Sequence, residues 1–165
     1  MSSQDYKILV FTDGSSLGNP GPGGYGILIK TSDGSLEKQF SKGFRKTTNN
    51  RMELLAVVDA LKKIKNKEIP VEIYTDSKYV SEAINKGWIN KWIKERFRKT
   101  KNTDLWKEFL KISKDFDFSI HWIKGHNKHR ENEICDKLAV RAAKSDNLSI
   151  DEGFENKEND KPTLF

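Results

Sequence analysis

The sequence has one cysteine, Cys135, no apolar run long enough to cross a bilayer, and no basic amphipathic stretch to anchor a chain on a membrane surface. A lone thiol excludes a disulfide framework and a Cys-rich zinc site, so a reducing compartment is expected. The opening Met1-Ser2-Ser3-Gln4-Asp5 lacks both the apolar centre of a secretion signal and the basic amphipathic pattern of a transit peptide. The cytoplasm is therefore the expected location, with no membrane partner. There is no internal repeat beyond one twin motif and no second core, because 165 residues suit a single domain.

What the chain has in quantity is charge. Charged residues make up 33% of it, the net charge is +6 and the isoelectric point is near 9.3. An excess of this size serves solubility or attracts a polyanion, and nucleic acid is expected before membrane.

Ile8-Leu9-Val10-Phe11 is an unbroken apolar run that suits a strand covered on both faces, and it stops at Asp13-Gly14. The glycines and prolines of residues 18–24 predict a tight turn into a second strand over residues 25–30. A turn cluster at residues 31–35 leads into a third strand over 36–44, which completes an antiparallel meander. Residues 47–50 supply helix caps, and 51–65 has helical periodicity through Leu54, Val57, Val58, Leu61 and Ile64. Residues 71–77 repeat the pattern of the first strand, ending Thr-Asp-Ser where the first ended Thr-Asp-Gly-Ser. A right-handed crossover makes these two strands parallel, and if they are neighbours Asp13 and Asp76 emerge side by side.

A short helix is expected over 77–85, a helix over 104–113 and a last strand over 118–123. Residues 124–133 read as a mobile polar loop, 134–144 as a helix with Asp136 in its first turns, and everything from Ser145 as a loosely attached, partly disordered tail. Residues 86–101 interleave Lys and Arg with aromatics. Such a mixture stacks on bases while neutralising phosphates, although Trp88 and Trp92, four apart, equally suit the core face of a helix.

Each acidic residue has a plain reading. Asp13 is a turn former, Glu53 sits at the start of an apolar stripe where a salt bridge would keep it, and Asp136 suits a helix N-terminus. Together they read differently. Four carboxylates at one sheet edge repel one another unless cations neutralise them, and oxygen ligands favour Mg²⁺ or Mn²⁺ over Zn²⁺. Divalent ions beside a basic groove suggest phosphodiester hydrolysis, with two ions serving the attacking water and the leaving oxygen.

The chain resembles type 1 ribonuclease H of the bacterial kind. The motifs are Phe11-Thr12-Asp13-Gly14-Ser15, Gly18-Asn19-Pro20-Gly21-Pro22-Gly23-Gly24-Tyr25-Gly26, Thr47-Thr48-Asn49-Asn50-Arg51-Met52-Glu53-Leu54, Tyr74-Thr75-Asp76-Ser77, Trp122-Ile123-Lys124-Gly125-His126, Glu131-Asn132-Glu133 and Cys135-Asp136. They cover roughly residues 6–154. The resemblance implies an α/β fold of the ribonuclease H type, with a five-stranded mixed sheet of three antiparallel strands plus parallel crossover strands, flanked by helices. It implies a catalytic domain over 1–154, with a basic protrusion at about 86–101 and a flexible tail over 155–165.

The implied activity is endonucleolytic hydrolysis of the RNA strand of RNA/DNA hybrids, leaving 5′-phosphate and 3′-hydroxyl ends, by a monomer using two Mg²⁺ that Mn²⁺ can replace. It assigns Asp13, Glu53, Asp76 and Asp136 as metal ligands, His126 to proton transfer or product release, and Glu133 as a neighbour of the second metal. Asn19, Thr48, Asn50 and Ser77 match positions that contact the hybrid, where hydroxyls and amides suit 2′-hydroxyls in a wide minor groove. Lys78 stands where many relatives carry Gln. Trp88, Lys91, Lys94, Arg96, Arg98 and Lys99 belong to the protrusion, which is shorter than the longest family versions. A separate hybrid-binding domain like that of many relatives is not expected.

The terminal Lys161-Pro162-Thr163-Leu164-Phe165 reads as a peptide for docking on a replication protein or as plain disorder. Two other readings stay open at this point: a ribonuclease domain of reverse-transcriptase type, and a hybrid-binding module without catalysis.

Overall fold

The computed structural model describes residues 5–125 and 129–159. Its centre is a five-stranded sheet in the order β3-β2-β1-β4-β5, with β1 Ile8–Ser16, β2 Gly21–Thr31, β3 Glu37–Thr47, β4 Val71–Thr75 and β5 Phe118–Trp122. β1, β2 and β3 pair antiparallel, whereas β1–β4 and β4–β5 are parallel. The expected mixed sheet is thus present, and the first and fourth strands are neighbours. Val10, Ile27 and Ile73 are fully buried at its centre.

The side-chain alternation of a strand sorts the two faces. Tyr25 and Ile27 point to α1 Asn49–Lys63, where the Tyr25 hydroxyl donates to Asp59 Oδ2 at 2.6 Å. Gly24 and Gly26 point the other way, to α5 Arg130–Ala143. A side chain on Gly26 would collide with the backbone carbonyl of Cys135, so the helix lies directly on the strand. Gly21, Gly23 and Gly24, expected in the turn, are strand residues of β2, whereas Gly26 lies in the strand as expected. β1 likewise continues to Ser16 past the expected stop at Asp13, because β2 still pairs with it, Ser16 opposite Gly23.

α2 Lys78–Asn85, α3 Trp88–Lys94 and α4 Thr103–Ser113 follow β4. Trp106 on α4 is fully buried. Its ring meets Trp92 at 5.3 Å and Tyr79 at 5.7 Å, and its Nε1 donates to the Tyr79 hydroxyl at 2.8 Å. The two tryptophans of the basic segment therefore divide: Trp92 packs on the core, while Trp88 is 39% exposed.

Two boundaries differ from expectation. α5 starts at Arg130, so residues 131–133 form its first turn and not a loop. Acidic Glu131 and Glu133 suit the positive end of the helix dipole, and Arg130 and Glu131 tie that turn to Glu37 and Lys30. The chain beyond Ser145 is also attached. Ser149 bridges to Phe44, and α6 Glu152–Asn159 follows, running across residue 155 where a flexible tail is expected. Within α6 Glu155 forms a two-pronged contact with Arg45.

The anchor of this segment is Arg51. Its guanidinium meets Asp151 through Nε at 2.8 Å and Nη2 at 2.9 Å, and Asp104 through Nη1 at 2.8 Å and Nη2 at 2.7 Å. The Thr47 hydroxyl also donates to Asp151 at 2.6 Å. Burial disfavours the Arg51 charge, but the hydrogen bonds and charges of Asp104 and Asp151 outweigh that and hold its pKa above the usual range. Removing one partner of a buried ion pair strands the other charge. Asp151→Asn is accordingly expected to cost about 3–5 kcal/mol in urea unfolding. Asp104→Asn, at a carboxylate 46% exposed, is expected to cost less than half of that. Equal losses would show that Asp151 is not the anchor.

Candidate active site

The parallel ladder between β1 and β4 ends with Thr12 opposite Thr75. The next residue on each strand is an aspartate, so Asp13 and Asp76 lie side by side just past the end of that ladder, Asp13 still paired with Gly26 of β2. Glu53 arrives on the second turn of α1. That helix comes close because residue 14 is glycine: a Cβ there would lie 2.5 Å from the Glu53 backbone nitrogen. One carboxylate oxygen from each of Asp13, Glu53 and Asp76 lies within 4.8 Å of the others. Asp13 Oδ1 accepts from the Gly14 N–H at 2.9 Å, whereas Glu53 Oε2 is buried with no hydrogen-bond partner.

Asp136 comes from the opposite side. Asp13 pairs with Gly26, Gly26 touches the Cys135 carbonyl, and Asp136 is the next residue of α5. It is more exposed than the other three, and its carboxyl acts on Asp13 through charge and a hydrogen bond. It lies two turns into α5, too far along to be a simple N-terminal dipole residue. Glu133, one turn earlier, is exposed. His126 lies outside the described residues.

This crowding changes the acidity of the group. Burial, then the charges of Asp76 and Asp136, push Asp13 up from 3.8 to about 8. Burial, then Asp13 and Asp76, push Glu53 well above the usual glutamate range. At neutral pH the metal-free cluster therefore keeps protons that a bound cation would displace. An unpartnered buried oxygen among hard carboxylate donors fits a divalent cation of the Mg²⁺ type.

Around the carboxylates, the residues expected to contact nucleic acid occupy two kinds of place. Thr48 and Ser77 are the N-caps of α1 and α2, accepting from the Arg51 and Val80 N–H groups at 3.2 Å in each case. Asn19 Oδ1 accepts from the Asn49 N–H at 3.2 Å, and Asn50 is exposed on the first turn of α1. Lys78, the first residue of α2, places its ammonium 5.0 Å from the ring centroid of Trp122.

The second place is the basic segment, where α3 is followed by a turn with Arg96 and Phe97 in left-handed backbone conformations. Lys94, Arg96, Arg98 and Lys99 line a cleft of about 340 Å³ there, together with Glu95. Lys91 is exposed and 3.9 Å from Glu95.

Sequence reasoning gave no role to Trp122, whose Nε1 donates to the Asp76 carbonyl at 3.0 Å. Nor did it find the carboxylates that hold Arg51, two residues before Glu53. The pairing of Thr75 with Trp122 depends on the register of parallel strands far apart in sequence, for which there is no local signal.

The family model described as RNase H matches residues 5–144. A ribonuclease H of Rippkaea orientalis (strain PCC 8801 / RF-1) is 43% identical over 162 residues, covering 95% of this chain and 98% of the relative. Among solved structures, LC9-RNase H1, described as a type 1 RNase H with the type 2 active-site motif, has a TM-score of 0.78 at 28% identity, covering 95% of this chain and 82% of that chain. LC11-RNase H1, solved in complex with an RNA/DNA hybrid, has a TM-score of 0.59 at 25% identity, covering 82% and 99%.

The raised pKa values give a stability profile with a definite sign. A carboxyl whose folded pKa is raised adds stability that is complete below its unfolded pKa and is lost as pH rises through the folded value. For Asp13 this window runs from 3.8 to about 8. Asp104, held low because the Arg51 hydrogen bonds outweigh its burial, adds stability that fades only below 3.8. In EDTA, urea unfolding is expected to show greatest stability near the acid end of the window and a decline toward pH 8 of up to about 1.4 kcal/mol per pH unit. Asp13→Asn is expected to flatten that decline, and Mg²⁺ to stabilise the native chain more at pH 8 than at pH 6. A metal-free stability that rises from pH 5 to 8 would contradict the crowded, protonated cluster.

Proposed function

The chain belongs to the ribonuclease H family, and from that premise we propose how its residues divide the work of an endonuclease that hydrolyses the RNA strand of RNA/DNA hybrids. The observation that carries the assignment is the meeting of Asp13, Glu53 and Asp76, with a buried Glu53 oxygen left without a partner. These three and Asp136 would hold two Mg²⁺, or Mn²⁺ in its place. When bound, such ions supply positive charge that makes a water acidic and stabilises the leaving oxygen of the phosphodiester.

The protein's own part is placement. Asp13 and Asp76 are fixed by the register of β1 and β4, Glu53 by the contact of α1 with Gly14, and Asp136 by the seating of α5 on Gly26. Four acids reaching one phosphate from three elements of the core and a helix set the line of attack before the substrate arrives. Glu133 and His126 are assigned to the neighbourhood of the second ion and to proton transfer or product release. Cleavage then leaves a 5′-phosphate and a 3′-hydroxyl.

Hybrid recognition falls to the two regions described. The Thr48 and Ser77 hydroxyls use a lone pair in capping and keep their O–H to donate to a 2′-oxygen, the atom that distinguishes RNA from DNA. Asn19 keeps its amide N–H₂ in the same way. Trp88, Lys91, Lys94, Arg96, Arg98 and Lys99 grip the DNA strand across the protrusion, chiefly by charge. The catalytic domain spans residues 1–154 and acts as a monomer in the cytoplasm.

The test is cleavage of one end-labelled RNA presented as a hybrid with DNA, as a duplex with RNA and as a single strand, in Mg²⁺ and in EDTA. Cutting is expected only in the hybrid and only with metal, and Asp13→Asn is expected to lower kcat by more than about a hundredfold. A folded chain that binds hybrid equally with and without Mg²⁺ and cuts nothing would instead be a binding module.

A further inference from the structure

Trp122 ends β5 beside the carboxylates, with 43% of its surface exposed. An exposed indole on a strand end needs no partner, yet this one has two. Its Nε1 donates to the backbone carbonyl of Asp76 at 3.0 Å, and its ring face carries the ammonium of Lys78 at 5.0 Å. The backbone around it is fixed as well, since Trp122 pairs with Thr75 in the parallel ladder and the Ile123 N–H donates to the Thr75 carbonyl at 2.8 Å. One side chain thus joins the backbone of a carboxylate of the cluster to a cation two residues further on.

The position of that cation is unusual in its own right. Lys78 directly follows the Ser77 cap, at the positive end of the α2 dipole, where acidic residues are favoured and cations disfavoured. Trp122 offsets this by offering the negative face of its ring. The exposed ammonium, its long stem already oriented, loses less freedom on meeting an anion than an unrestrained lysine would. The anion available at that place is a backbone phosphate of the bound hybrid next to the cut site.

We propose that Trp122 is a positioning residue that holds Lys78 as a fixed cation for a hybrid phosphate adjoining Asp76, an inference that rests on reading this site as a hybrid nuclease. Its indole N–H meanwhile keeps the Asp76 backbone in place. The ring face and the N–H therefore serve different steps, Lys78 acting in binding and Asp76 in turnover.

Hybrid cleavage in Mg²⁺, measured as kcat and KM over a range of salt concentrations, tests this with the native chain, Lys78→Met, Trp122→Leu, Trp122→Phe and the double variant Lys78→Met/Trp122→Leu. Thermal melting of each variant monitors folding. Trp122→Leu is expected to raise KM about two- to fivefold, the equivalent of an exposed cation–π contact, and to reduce the salt slope by about one, as Lys78→Met does. The double variant is expected to have no higher KM than Lys78→Met alone. Trp122→Phe, which keeps a ring but no N–H, is expected to hold KM within about twofold and to lower kcat.

KM losses that multiply in the double variant, or a salt slope in Trp122→Leu equal to that of the native chain, overturn the proposal. An unchanged KM and salt slope in Lys78→Met, which leaves the strand untouched, overturns it too. A native chain that does not cut the hybrid overturns the reading of the site instead, and that result is seen before any variant is compared.

Discussion

Like charges at the end of a strand ladder separate unless something holds them, and two carboxylates about 4 Å apart repel by about 4 kcal/mol at an effective dielectric near 20. Asp13, Glu53 and Asp76 stay together because the backbone of each is placed by the core. The β1–β4 register fixes two of them, and a helix that touches the Gly14 backbone fixes the third. Rotation of a side chain can relieve little when the Cα positions are set by the core. The protein relieves the repulsion chemically, by weakening Asp13 and Glu53 as acids so that they keep protons, and a cation relieves it further.

The same constraint explains the weight placed on Arg51. It is the third residue of α1, two before Glu53, and its guanidinium carries the carboxylates of Asp104 on α4 and Asp151 in the segment before α6. The first turns of α1 are thus held between Gly14 on the sheet side and two carboxylates on the other. Repulsion acting on Glu53 meets a helix that cannot easily retreat. The C-terminal segment, remote in sequence from Asp13, Glu53 and Asp76, is in this sense a support of the site.

How much of this can be read from the sequence varies with the range of the interaction. The twin strand motif ending in Thr-Asp shows the parallel pair, because an apolar run between turn signals is a local pattern and the crossover rule does the rest. Glu53 stands out because an acid on an apolar stripe breaks a local rule. The glycines mislead: Gly23 and Gly24 sit in a glycine- and proline-rich stretch that reads as turn, and only the close approach of Thr47 and Met52 to the one and of α5 to the other reveals them as contact points. Residues 145–157 mislead for a related reason. Their composition is polar, and what attaches them lies about a hundred positions earlier: Arg51 and Thr47 on Asp151, Phe44 beside Ser149 and Arg45 on Glu155. Residues 130–133 read as loop because their polarity outweighs the acidic first-turn signature, which becomes decisive once Lys30 and Glu37 are seen opposite.

The carboxylates and the helix caps also depend on each other through the helices. α1 and α2 both begin at the cluster, and their unsatisfied N–H groups and dipoles bring positive potential to a place crowded with negative charge. Thr48 and Ser77 start these helices, and each hydroxyl accepts an N–H of its own helix. A capping hydroxyl is held to one direction by the N–H it accepts from, so the helix ends are fixed where the carboxylates meet. Placing the helix starts at the cluster therefore meets two needs with one arrangement: it eases the repulsion among the carboxylates and favours an incoming anion.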